Sequence, residues 1–223
     1  MHIPNGILPP AVCLAGYVAT GAATYYALRK IEQKSDPRAE VAKASLLTAA
    51  FFVASWIHIP IPPTSVHLTL IGLMGAVLGY YAFPAILIGL FFQAVMFQHG
   101  GLTTLGVNAI VMGLPALLSY QVLRLACTLL GSRLNRSWMG SLTFATSALA
   151  LLLAALLATS LLIATIPADL DVAAERSAIL SMGLAHIPLA LIEGLVTALV
   201  VLFLQRVRPE ALAEGIRPAA EKV

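Results

Sequence analysis

The chain has 223 residues, 60% of them hydrophobic and 10% charged, with a formal net charge of +3. This balance excludes an ordinary soluble domain and reads as an integral membrane protein. The basic residues are scattered through short loops and make no nucleic-acid-binding patch. Cys13 and Cys127 lie in apolar stretches without zinc or disulfide spacing.

In chain order, the opening Met1-His2-Ile3-Pro4-Asn5-Gly6 comes first. No basic n-region precedes an apolar run here, so no signal peptide is expected and Met1 is read as the mature start. The Met1 α-amine, the His2 backbone nitrogen and the His2 imidazole can then close two small chelate rings on one metal ion. One further imidazole would complete a planar set of four nitrogens, which suits Ni(II) or Cu(II). Asn5-Gly6 offers a turn that would fold this segment back over the helix ends.

Seven apolar segments follow, at residues 10–28, 41–57, 66–81, 83–97, 105–130, 139–166 and 178–203. The expected fold is an all-α bundle of about seven transmembrane helices. The third and fourth segments are short of the roughly 20 residues a crossing needs and could instead form one re-entrant hairpin. Residues 1–223 read as a single transmembrane domain, with 1–9 an outer metal-binding segment and 207–223 a cytoplasmic tail. With alternating crossings, Arg29, Lys30, Lys34, Arg38, Lys43, Arg124, Arg133, Arg136, Arg206, Arg208, Arg217 and Lys222 fall on one side, twelve of the thirteen basic residues. The positive-inside rule makes that side cytoplasmic, with the N-terminus outside and the C-terminus inside.

This topology puts His2, His58, His67, His99 and His186 in the outer half, with Asp169, Asp171 and Glu175 in an outer loop. The pattern suits capture of a cation from outside. His67 is the expected fourth nitrogen: it follows the stiff stretch Pro60-Ile61-Pro62-Pro63, and Thr64 or Ser65 is expected to cap the helix that it opens. His58 is expected to act behind the ligands. His99-Gly100-Gly101-Leu102 is a candidate lid.

Glu193 is an acid inside an apolar helix and should have a partner, with Asn108 and Gln93 as candidates. Ala11, Ala15, Ala19, Ala23 and Ala27 form a ladder at spacing four, which either packs inside the bundle or docks a membrane partner. Gly72, Gly75 and Gly79 read as internal packing positions. No P-loop, His-Glu-x-x-His or Gly-x-Ser-x-Gly pattern is present, so neither ATP hydrolysis nor these hydrolytic chemistries are indicated.

Four stretches carry a family resemblance: Met1-His2-Ile3-Pro4-Asn5-Gly6; Pro63-Thr64-Ser65-Val66-His67-Leu68; Gly100-Gly101-Leu102-Thr103 with Leu105-Gly106-Val107-Asn108 and Met112-Gly113; and Ala185-His186-Ile187-Pro188 with Glu193-Gly194 and Thr197. Together they resemble the substrate-binding membrane (S) component of nickel and cobalt energy-coupling factor transporters, the NikM/CbiM group. The resemblance implies a seven-helix fold, an outward N-terminus and a Ni(II) or Co(II) site made by Met1, His2 and His67. Read from the residues themselves, His58, Ser65, His99 and Asn108 are candidates for a supporting or lid role, and Ala15, Ala19 and Ala23 for a partner-docking stripe. The implied partners are a transmembrane coupling (T) subunit, cytoplasmic ATPases and a small accessory membrane subunit, in the inner cell membrane. Asn5 stands where many relatives carry Asp, and Ile3-Pro4 leans towards the nickel members. A membrane-embedded metalloenzyme and a structural or regulatory subunit are the alternative readings.

Overall fold

Tandem prolines set the start of α1 (Pro10–Glu32). Pro9 holds an extended φ of −56° and ψ of 144°, and Pro10 occupies a first-turn position that needs no amide donor. The computed structural model describes residues 2–61, 64–131 and 135–217. The remaining elements are α2 (Val41–Ala54), strands β1 (His58–Ile61) and β2 (Thr64–His67), α3 (Ile71–Leu78), α4 (Ala82–Phe97), α5 (Leu105–Leu130), α6 (Arg136–Ala164) and α7 (Val172–Val207).

The short hairpin corrects an all-helical expectation. Thr64 and Ser65 do not cap a helix; they lie in β2, which pairs antiparallel with β1 in the register His58↔His67 and Pro60↔Ser65. Prolines tolerate extended backbone at a sheet edge far better than the interior of a helix. Helix α3 starts only at Ile71, behind Leu70 in the left-handed conformation with φ 51° and no side-chain cap. His58 and His67 therefore do not terminate helices. They face each other across a β-ladder.

Five stretches are long and apolar enough to cross a membrane: Pro10–Glu32, Ile71–Phe97, Leu105–Leu130, Arg136–Ala164 and Val172–Val207. Helix α2, with 14 residues, is shorter. This measure gives six candidates rather than seven because Ile71–Phe97 counts once. That stretch nevertheless doubles back. A straight helix of its length would extend about 40 Å, yet His67 just before it and His99 just after it bring their Nε2 atoms to 3.3 Å. The reversal lies at Gly79, where φ is +58°, followed by a single tight turn over Gly79–Tyr81. All eight residues of α3 are buried. Gly72 and Gly75 make this possible, as a methyl at either would collide with Ser147 of α6 or the Ala116 carbonyl of α5.

Helix α5 is central and packs against α1, α3, α4 and α6, while α6 runs along α7. Outward-facing Leu14, Val18, Leu129, Leu149, Leu156, Leu184 and Phe203 present an apolar surface suited to lipid. The alanine ladder divides: Ala11, Ala15 and Ala19 are exposed, Ala23 is half-buried and Ala27 is fully buried. Helix α1 meets α5 on another face. There Thr20 Oγ1 donates to the Gly106 carbonyl at 2.6 Å, and a Cβ on Gly106 would sit 2.6 Å from the Tyr17 amide nitrogen.

The end opposite the histidines is charged. Glu40 accepts Lys34 at 3.0 Å and Arg217 at 3.2 Å, and Lys43 donates to the Val77 and Ala211 carbonyls at 3.0 and 2.9 Å. The segment after α7 folds back over this end. Leu212, Ala213 and Ile216 are buried, the Ala213 amide donates to Ala76 O at 3.2 Å, and Tyr120 donates to Glu214 O at 2.9 Å.

Candidate metal centre

The N-terminal segment is clamped before any ligand is considered. Asn108, in the first turn of α5, accepts the Ile3 amide at 2.9 Å and donates to the Ile3 carbonyl at 3.0 Å. Thr104 donates to the same carbonyl at 2.6 Å. Ile3 is 2% exposed. The expected turn at Asn5-Gly6 is present, with Gly6 at φ +82°, and Asn5 Oδ1 accepts the Thr103 amide at 3.0 Å and its hydroxyl at 2.8 Å. A carboxylate oxygen would accept the same pair, so Asp is compatible here. The candidate lid, His99 to Leu102, packs directly on this segment. A Cβ at Gly101 would sit 2.6 Å from the Asn5 nitrogen, and Tyr17 donates to the Leu102 carbonyl.

Clamping Ile3 delivers His2 to a cluster of imidazoles. His2 Nδ1 lies 3.1 Å from His67 Nε2, and His99 Nε2 lies 3.3 Å from the same atom. One nitrogen from each of the three falls within 4.8 Å of the others. Two nitrogens bound at about 2.0–2.1 Å to one ion stand roughly 2.9–3.4 Å apart at ordinary coordination angles. The spacing thus fits a shared cation as well as a hydrogen bond.

The partners behind the rings fix which nitrogens are available. Gln93 Oε1 accepts from His2 Nε2 at 2.8 Å, while the Gln93 amide group points at the Phe51 carbonyl, 3.5 Å away. His67 donates through Nδ1 to the Leu68 carbonyl at 3.1 Å. These bonds assign the proton to His2 Nε2 and to His67 Nδ1, leaving the lone pairs of His2 Nδ1 and His67 Nε2 facing each other. Burial lowers the pKa of His2, His67 and His99 from the usual 6.5, to about 3 for His67. All three rings are neutral near pH 7, the form that ligates metals.

Several expected residues fall elsewhere. Met1 and the Ser65 side chain lie outside the described residues. His58 is exposed, hydrogen-bonds the Trp56 carbonyl at 3.0 Å, and has its ring centroid 5.9 Å from that of His67. Gln93 serves His2 rather than Glu193, and Asn108 serves Ile3. Glu193 is fully buried and takes Thr69 instead: it accepts the Thr69 amide, and the Thr69 hydroxyl sits 3.0 Å from each of its oxygens. His186 bonds the Met182 carbonyl within its own helix at 2.8 Å. Asp171 caps α7 by accepting the Ala173 and Ala174 amides at 3.0 and 3.1 Å, so its carboxylate already has a local use. Sequence reasoning named Gln93 only as a candidate partner of Glu193, and it missed Thr69. Gln93 gave one signal, as a polar side chain inside the apolar stretch 83–97.

A multi-pass helical membrane protein with neutral imidazoles gathered at one end is the class that fold and cluster define. The chain belongs to the family described as the cobalt uptake substrate-specific transmembrane region, CbiM, which it matches over residues 2–211. The family is one of metal transport components, not of enzymes. The fused nickel transport protein NikMN of Rhodobacter capsulatus is 34% identical over 99% of this chain and 66% of its own length. The cobalt transport protein CbiM of Kyrpidia tusciae is 31% identical, covering 97% of this chain and 87% of that one. A Haemophilus influenzae protein named for metal transport is 41% identical, but over 56% of this chain and 58% of its own. The chain thus spans less than two thirds of the first and last of these three relatives. A crystal structure of a truncated transition-metal transporter superposes with a TM-score of 0.76 at 25% identity, covering 92% of this chain and 98% of that one.

Proposed function

We propose that the chain is the substrate-specific component of an ATP-driven Ni(II) or Co(II) importer of the energy-coupling factor type. The ion would sit in a plane of four nitrogens: the Met1 amine, the His2 amide nitrogen, His2 Nδ1 and His67 Nε2. The observation that carries this reading is the pair of opposed lone pairs on His2 and His67, 3.1 Å apart, each fixed by a hydrogen bond on its far nitrogen. Only His2 Nδ1 is close enough to its own backbone to chelate together with the amide. Gln93 leaves that nitrogen free.

The bundle would make seven crossings, with the doubled-back 71–97 stretch counted as two. The histidine end would face outside, and the Lys34, Lys43 and Arg217 end the cytoplasm of an inner-membrane protein. A transmembrane coupling subunit, cytoplasmic ATPases and a small accessory subunit would complete the machine. The exposed small residues Ala15 and Ala19, continuing to Ala23, are the proposed docking stripe on α1. Ala19→Trp is expected to lose co-purifying subunits while the isolated chain keeps its metal affinity; retained subunits would remove the stripe from this role.

The direct test is metal loading. The purified chain, equilibrated with Ni(II) and desalted, should retain one equivalent and show the absorption of diamagnetic, square-planar nickel. No retained metal, or a paramagnetic nickel centre, would contradict the planar site.

A further inference from the structure

We propose that His99 is the entry ligand of this site: together with His67 it takes the hydrated divalent cation from the outer side and passes it to the planar nitrogen set, itself remaining off that plane. The inference rests on the planar site proposed above. Reach is the first support. His99 Nε2 is 3.3 Å from His67 Nε2. Its ring lies close to His2, with centroids 4.2 Å apart and planes tilted by 57°. A donor so placed meets an ion at His67 from a different direction than His2 does.

Freedom of movement is the second. His2 is held by Gln93 and His67 by the Leu68 carbonyl. Among the described residues, the His99 imidazole has only His67 Nε2 as a hydrogen-bond partner. Once an ion occupies that nitrogen, nothing described holds the His99 ring.

Position is the third. His67 is 7% exposed, whereas His99 is half-buried at the rim. It stands on a backbone corner: the amides of Gln98 and His99 both donate to the Gln93 carbonyl, Gln98 has φ +53°, and Gly100 has φ +89°. A non-glycine residue held in this conformation is a local cost that the fold maintains. The corner sets His99 just beyond the C-terminal end of α4, where the helix dipole favours positive charge.

These features meet a chemical need. A dication loses a large hydration energy on entering a buried site unless each departing water is replaced by a ligand. The His99 nitrogen at the rim, 3.3 Å from the buried His67 Nε2, begins that exchange before the backbone nitrogens engage. A completed four-nitrogen plane has no in-plane vacancy for His99.

The test is stopped-flow Ni(II) binding to the full chain in detergent, comparing wild type with His99→Ala and His99→Gln. Association is expected to slow by about tenfold or more in both, while the planar spectrum at saturating nickel stays that of wild type. His58→Ala should leave the rate unchanged. An unchanged rate in the His99 variants overturns the proposal, and so does loss of the planar spectrum, which would make His99 an in-plane ligand. A wild-type chain without the planar spectrum would overturn the planar site itself, and the entry role with it.

Discussion

One residue added ahead of Met1, or an acetyl group on its amine, is expected to weaken Ni(II) binding by at least about a hundredfold. The reason is a fixed measure of chain. Asn108 and Thr104 grip both the amide and the carbonyl of Ile3, and Asn5 is pinned to Thr103. Met1 and His2 lie just ahead of this grip, and the proposed chelate begins at the Met1 amine. The added residue cannot be absorbed by sliding the chain, because a shift of one position would exchange buried Ile3 for His2 in the Asn108 clasp. The amine would then become an amide or be carried away from the ion. Calorimetric titration of the two forms measures the effect, and equal affinity would remove the amine from the site. In the proposed site the amine also sets a pH trend. Its ordinary pKa is about 7.7–8.0, so affinity should fall as the medium acidifies through that range, before the low-lying imidazoles of His2 and His67 begin to protonate.

The second large effect is a ranking. His67→Ala should cost the most, roughly a hundredfold or more, Gln93→Leu about ten- to a hundredfold, and His58→Ala the least. In the proposed site His67 offers its lone pair directly to the ion. Gln93 acts through His2: without its oxygen the imidazole is free to place its proton on Nδ1, the nitrogen the chelate needs. His58 is exposed and bonded to the Trp56 carbonyl. Equilibrium nickel titration of the three variants, each checked for an unchanged helical circular-dichroism spectrum, gives the order. A larger loss in His58→Ala than in His67→Ala would exchange their roles.

Much of this was legible in the residues. The long apolar stretches mark the helices, and the placement of histidines against basic residues separates the two ends. The hairpin at 58–67 was hidden because the sequence offers a second reading: Thr64 and Ser65 ahead of an apolar run look like helix caps. The cross-strand pairing of His58 with His67 depends on a partner strand that local pattern does not reveal. The partners of Gln93 and Glu193 were misread for a related reason. Each is a polar residue in an apolar helix, and what it meets depends on how helices are rotated about their axes. In a membrane-spanning bundle that rotation is set by close contacts such as Gly72 against Ser147, not by a polar–apolar stripe. The alanine ladder shows the same ambiguity, since spacing alone did not say that Ala11, Ala15 and Ala19 would be left bare while Ala27 is covered.

The segment after α7 has a consequence for traffic through the molecule. Beneath His67 lie Ile71, Met74 and Leu78, all fully buried, and beneath them Leu212, Ala213 and Ile216 close the bottom. Along this column the one buried carboxylate described, Glu193, is already engaged by Thr69, and Ile71, Met74 and Leu78 offer a dication no ligand, so passage straight down would cost its hydration. The described chain is therefore a cup rather than a pipe: it has a mouth, a set of nitrogens near the rim, and a floor made from its own far end.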